Sequence, residues 1–168
     1  MHRHISRTLA TALLAMAMFA PAAAHASDPV HVALSAQRVT TQNGHENFAP
    51  ADKARPGEVI EYRATYRNDS PKPIYELIAT LPIPNGVEYL SATAAPAGVQ
   101  ASTDGKHYAA VPLMRNVRDA NGREVQREVP LAEYRSLRWT IGGLDAKQSR
   151  TVAARVRVAT SQVAALSR

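Results

Sequence analysis

The chain has no cysteine, a single tryptophan and two phenylalanines among its 168 residues. Without cysteine, no disulfide can tie the fold, and no thiolate can act as a nucleophile or metal ligand. Beyond residue 26 no apolar run approaches the roughly 20 residues that a membrane-spanning helix needs. There is no Gly-x-Ser-x-Gly elbow, no His-x-x-x-His pair and no Asp-x-Asp-x-Asp-Gly calcium loop. Gly142-Gly143 lacks the following Lys-Ser/Thr of a phosphate loop. These absences remove hydrolases, zinc sites, calcium sites and nucleotide binders that announce themselves by a local motif, and leave open a metal site assembled from histidines or turn carboxylates distant in sequence. What remains is long enough for one domain with its own core, and short for two.

Charge is present in both signs, with 20 Lys+Arg against 14 Asp+Glu and a net charge of +6. Part of that excess belongs to the first segment. Arg3 and Arg7 open the chain with no acid beside them, Leu9 to Ala20 is almost wholly apolar, and Pro21 and small residues lead to Ala24-His25-Ala26. A basic start, a short apolar stretch and an Ala-x-Ala end predict a secretory signal peptide over residues 1–26, cleaved after Ala26. A retained membrane anchor is the alternative, and Pro21 and the Ala-x-Ala site fit cleavage better. Cleavage leaves 18 Lys+Arg against 14 acids, a mature charge of +4. The expected product, residues 27–168, is exported to the periplasm or the outside and is not membrane-spanning.

The mature part alternates with period two. Val30, Val32 and Leu34 recur on one face of their run. Ile60, Tyr62, Ala64 and Tyr66 alternate with Glu61, Arg63, Thr65 and Arg67. Tyr75, Leu77, Ala79 and Leu81 share a face, as do Leu137, Trp139 and Ile141 and, last, Val152, Ala154, Val156 and Val158. Such runs are strands with one face on a core and the other in water. Pro56-Gly57, Asn68-Asp69-Ser70-Pro71, Pro82 to Gly86, Asp104-Gly105 and Gly142-Gly143 separate them. Asp104-Gly105 predicts a hairpin, and Asn121-Gly122 a second, weaker one. Several short strands with regular turns predict an antiparallel sandwich or barrel. Asn43 to Arg55 and Arg115 to Glu133 read as polar loops, and Val163 to Leu166 as at most one helical turn.

Trp139, Tyr62, Tyr66 and Leu81 are the expected core residues. Arg63, Arg67, Arg138, Arg155 and Arg157 fall on outward strand positions. If those strands are neighbours, they form a basic face that could meet an acidic protein, lipopolysaccharide or another anionic polymer. Nucleic acid does not fit, because basic residues are not interleaved with aromatics. His31, His45 and His107 stand alone in the sequence, with no partner in metal or triad spacing. No cofactor or catalytic residue is expected from the pattern.

An ordered set of motifs resembles a known family. Arg55-Pro56-Gly57-Glu58-Val59-Ile60-Glu61-Tyr62 leads into Tyr66-Arg67-Asn68-Asp69-Ser70, then Leu81-Pro82-Ile83-Pro84-Asn85-Gly86. Ser102 to Tyr108, Tyr134 to Ile141 and Gly143 to Ala146 follow. Over about residues 30–160 this order resembles the DUF-eleven conserved-repeat domain of bacterial envelope and secreted proteins. Ala79 stands where that family often has Asp, and Asp145-Ala146-Lys147-Gln148 replaces a Gly-containing turn. The resemblance implies a single immunoglobulin-like β-sandwich with a turn at Pro56-Gly57, a strand-ending cap at Asn68 and a core Trp139. It implies a non-catalytic module for adhesion, scaffolding or protein interaction in the cell envelope. A periplasmic small-ligand or metal-binding protein, using Asn43–Arg55 and Arg115–Glu133 with His45 and His107, is the alternative expectation.

Overall fold

The structure, a computed structural model, describes residues 29–160. The expected signal peptide, residues 1–26, and the Ala-rich stretch Val163 to Leu166 lie outside those residues. Eleven strands run in chain order: β1 (Val30–Gln42), β2 (His45–Pro50), β3 (Val59–Asn68), β4 (Ile74–Pro82), β5 (Val87–Tyr89) and β6 (Gln100–Ser102). They continue as β7 (Ala109–Ala110), β8 (Met114–Arg118), β9 (Glu124–Glu128), β10 (Ser136–Leu144) and β11 (Ser149–Val158), with a 3-10 turn at Leu131–Glu133 before β10. One sheet has the order β2-β1-β3-β11-β5, a second has β4-β10-β6-β7, and β8-β9 stand as a separate ribbon. Each strand pairing is antiparallel. The chain is therefore all-β with a sandwich-like arrangement.

The period-two runs explain the core. On β3 and β11 the register sets Ile60 opposite Val156, Tyr62 opposite Ala154 and Ala64 opposite Val152, so the apolar faces of both strands coincide. The second sheet answers with Ala79 and Leu81 of β4 opposite Trp139 and Leu137 of β10. Tyr66, Leu81 and Trp139 are buried, and Tyr62 is half-buried at the margin. Full burial of each large apolar side chain is worth about 1.5–3 kcal/mol. Tyr89 and Tyr134, which the alternation does not single out, are buried and stacked with ring centroids 5.8 Å apart.

Polar residues close the ends of the core. Asn68, fully buried at the end of β3, donates through Nδ2 to the carbonyls of Lys72 (2.7 Å), Leu144 (3.0 Å) and Asp145 (3.1 Å). Its Oδ1 accepts from the Ser70 amide (2.9 Å) and hydroxyl (2.7 Å). One side chain thus ties β3, the turn after it and the β10–β11 connection. Pro56-Gly57 makes the turn into β3: the Glu58 amide donates to the Arg55 carbonyl at 3.1 Å, and Gly57 takes the positive φ of 83° that this turn requires.

The structure departs from the expectations in four places. Asn43 to Arg55 is not a loop throughout, because Asn43 and Gly44 (φ 52° and 79°) form a two-residue turn and His45–Pro50 pairs with β1. Arg115 to Glu133 contains the β8–β9 ribbon turned at Asn121-Gly122, so this hairpin is well formed. Its base is held by buried Leu113 and Val129, with the Leu113 amide donating to the Tyr134 hydroxyl at 2.8 Å. Tyr75 is 74% exposed and does not share the buried face of Leu81, because Glu76 at φ 58° interrupts the alternation of β4. Val32 and Leu34 lie on the core-facing side of β1, opposite Tyr66 and Ala64, yet are 44% and 64% exposed.

Candidate functional site

β11 lies between β3 and a discontinuous edge. Its last residues, Val156 to Val158, pair with β5. Past β5 the chain keeps following β11: the Leu90 amide donates to the Arg155 carbonyl at 2.9 Å, and the Arg155 amide donates to the Thr93 hydroxyl at 3.0 Å. Ala95 and Ala153 then exchange both backbone bonds, at 2.8 and 2.7 Å. At Pro96, which has no N–H, the chain turns away to the second sheet, where its carbonyl accepts the Trp139 indole N–H at 2.7 Å. The tryptophan therefore anchors the departure point as well as filling the core.

Beyond Ala95 none of the described residues pairs with the edge of β11. Strand residues direct their backbone groups alternately to the two neighbours. Arg155 and Ala153 point theirs toward the β5 side, so Thr151 and Ser149 do the same. Among the described residues nothing bonds the Thr151 N–H or carbonyl. A cleft of about 720 Å³ opens at this point, with Pro96 and Ile141 as apolar walls and Arg63, Arg150 and Arg155 around it.

Two of those arginines belong to a network on the outer face of the first sheet. Arg155 places Nη1 and Nη2 on the Glu46 carboxylate at 2.6 and 2.7 Å, and its Nε on Glu61 at 2.9 Å. Arg63 Nε reaches the other Glu61 oxygen at 2.6 Å. The Phe48 ring lies 5.8 Å from the Arg63 guanidinium carbon and 6.0 Å from that of Arg155. Glu61, an outward strand position by pattern, is only 6% exposed because these cations cover it. The hydrogen bond from Arg155 holds the Glu46 carboxyl below its ordinary range, and Glu46 and then Glu61 raise the guanidinium's affinity for its proton. Arg150 is exposed and has no ion-pair partner among the described residues.

The five outward arginines are not gathered on one face. Arg63, Arg67, Arg155 and Arg157 share the outer side of β3 and β11, with Arg67 paired to Asp69 at 2.7 Å and Arg157 opposite Glu88 of β5. Arg138 belongs to β10 in the other sheet, where it donates to Gln100 at 2.8 Å and its guanidinium carbon lies 4.0 Å from the Tyr108 ring centroid. Acids thus offset much of the basic face. The residues that pattern reading passed over are Arg150 and Thr151. No sequence signal marks them, because an open edge depends on where another part of the chain turns away.

The histidines are dispersed over different elements. His31 lies on β1, His45 begins β2, and His107 Nδ1 sits 2.6 Å from Asp104 Oδ2 in the β6–β7 turn. The nearby Ser102 hydroxyl donates to Asp104 at 2.8 Å rather than to the imidazole, so this turn assembles no nucleophile–base pair. Among the described residues no group of three or more His, Asp or Glu is placed to hold a metal ion. Also among them, no helix is long and apolar enough to cross a membrane. What the cleft offers is one open backbone donor and acceptor, apolar walls and cations. No protein-family model, curated protein or solved structure matches the chain.

Proposed function

We propose that the protein is an exported, non-catalytic interaction module of the bacterial cell envelope, with an immunoglobulin-like sandwich as its fold. The observation that carries this reading is the open stretch of β11 at Thr151, set in a cleft beside Arg150. An edge strand with free backbone groups is a ready template for pairing with another chain. The ordered motifs from Arg55 to Ala146 support membership of the DUF-eleven family, and the basic, apolar and Ala-x-Ala features of residues 1–26 support export.

Adhesion or scaffolding then follows as the task, with an envelope protein as partner. Chemical cross-linking in intact cells of the native organism, followed by mass-spectrometric identification, tests it. Recurrent cross-links to an envelope component are expected. A protein that stays free in the periplasm and cross-links to nothing contradicts the proposal.

A further inference from the structure

The β11 edge also indicates what kind of partner fits. Resting on the interaction-module reading, we infer that the cleft takes an extended acidic peptide segment as an added strand, antiparallel to β11 and pairing with Thr151. The chain itself supplies the template. Ala95 exchanges two backbone bonds with Ala153, and among the described residues none takes the equivalent place opposite Thr151, because the chain turns away at Pro96. A peptide residue there would donate its N–H to the Thr151 carbonyl and accept the Thr151 N–H, as Ala95 does two residues along the strand. A rounded small molecule would not repeat that paired spacing.

Charge selects the peptide. Three arginines line the cleft, Arg63, Arg150 and Arg155, against a single carboxylate there, Glu61. Glu46 reaches Arg155 from β2 and offsets one more charge, so the excess in the cleft is Arg150, which has no ion-pair partner among the described residues. Arg150 lies on the core side of β11, opposite Tyr66, and Ile141 and Pro96 line the same cleft, so the acidic side chains of the added strand belong on the side that faces Arg150.

The probe is the peptide acetyl-Glu-Val-Glu-Val-Glu-amide, titrated into the folded protein and followed by amide NMR and hydrogen exchange. Saturable shifts at Thr151 and Ser149 are expected, with exchange of the Thr151 amide slowed about tenfold or more. The lysine counterpart, acetyl-Lys-Val-Lys-Val-Lys-amide, should leave those signals in place. Arg150→Glu, at an exposed residue and checked for an unchanged unfolding midpoint, should weaken binding of the acidic peptide about tenfold. Unchanged Thr151 exchange, equal binding of the two peptides, or shifts confined to another surface would overturn the inference. Shifts confined to the β2 edge would do so while leaving the module reading intact. Absence of in-cell cross-links alongside a positive titration would do the reverse.

Discussion

Asn68 has more bonding partners than any other buried side chain in this fold. Its amide group holds three carbonyls, and its carbonyl oxygen holds two donors of Ser70. Asn68→Ala removes five bonds and leaves the Ser70 amide without its acceptor, while the Lys72 and Asp145 carbonyls keep the Ser70 hydroxyl and the Gln148 amide, and a loss of about 1–3 kcal/mol is expected in urea unfolding. Asn68→Asp should cost at least as much, because a carboxylate would face three carbonyl oxygens. A neutral result for either would mean that water replaces the amide without penalty. Trp139 carries a packing role as well, and Trp139→Ala should cost about 3–5 kcal/mol. A loss below about 1 kcal/mol would contradict its burial against the Pro96 crossing. At Asp104 the expected effect depends on pH. The carboxyl bonds first to the His107 ring, then to the backbone amides of His107 and Lys106, and is held below its ordinary 3.8. A depressed carboxyl contributes its full share of stability above the ordinary value, and that share is lost as the pH falls through the folded value. Carbon-detected NMR should therefore show Asp104 titrating below 3.8, with its midpoint rising in His107→Ala. An ordinary midpoint in the wild-type protein would show that the turn contacts do not persist in solution.

Among the elements, β4 is an outer strand of its sheet, and one phenol closes its free edge at Thr80. The Tyr66 hydroxyl donates to the Thr80 carbonyl and accepts the Thr80 amide, both at 2.8 Å, while Pro82 has no N–H to offer. Tyr66→Phe should cost about 1–3 kcal/mol and raise the tendency to associate, seen as a growing apparent mass with concentration in sedimentation. No change in either would mean that β4 is protected by another feature. Unlike β4, plugged at Thr80, β11 is open at Thr151 and has the arginine-lined cleft beside it. Strands β3 and β11 are legible in the sequence because apolar residues alternate along them from Ile60 to Tyr66 and from Val152 to Val158, whereas the burial of Glu61 on the outer face comes from its arginine partners. β2 is not legible, since all its residues are exposed and carry no such alternation, although Asn43-Gly44 is a hairpin signal that could have located it. Tyr75 was misplaced because a single positive φ at Glu76 shifts the phase of its strand, which side-chain periodicity does not register.

At the scale of the whole molecule, the absence of cysteine is matched by a core that runs through both sheets and is closed by Asn68, Tyr66 and Tyr134. The excess of arginine is spread over two sheets and offset by Glu46, Glu61 and Asp69, so net charge describes this surface poorly. The core residues Trp139, Tyr66 and Leu81 could be read from pattern, whereas the cleft could not. It is made by β11, by the chain turning at Pro96 and by Ile141 of the other sheet, which meet only through topology. β11 is paired through Ala153 and, among the described residues, open at Thr151. Native-state hydrogen exchange on the unliganded protein tests it most directly. The amides of Val152 to Val156 should be protected close to the limit set by global unfolding, while that of Thr151 exchanges faster by orders of magnitude. Protection of Thr151 equal to that of Ala153 would mean that the edge is already occupied, and would contradict the account.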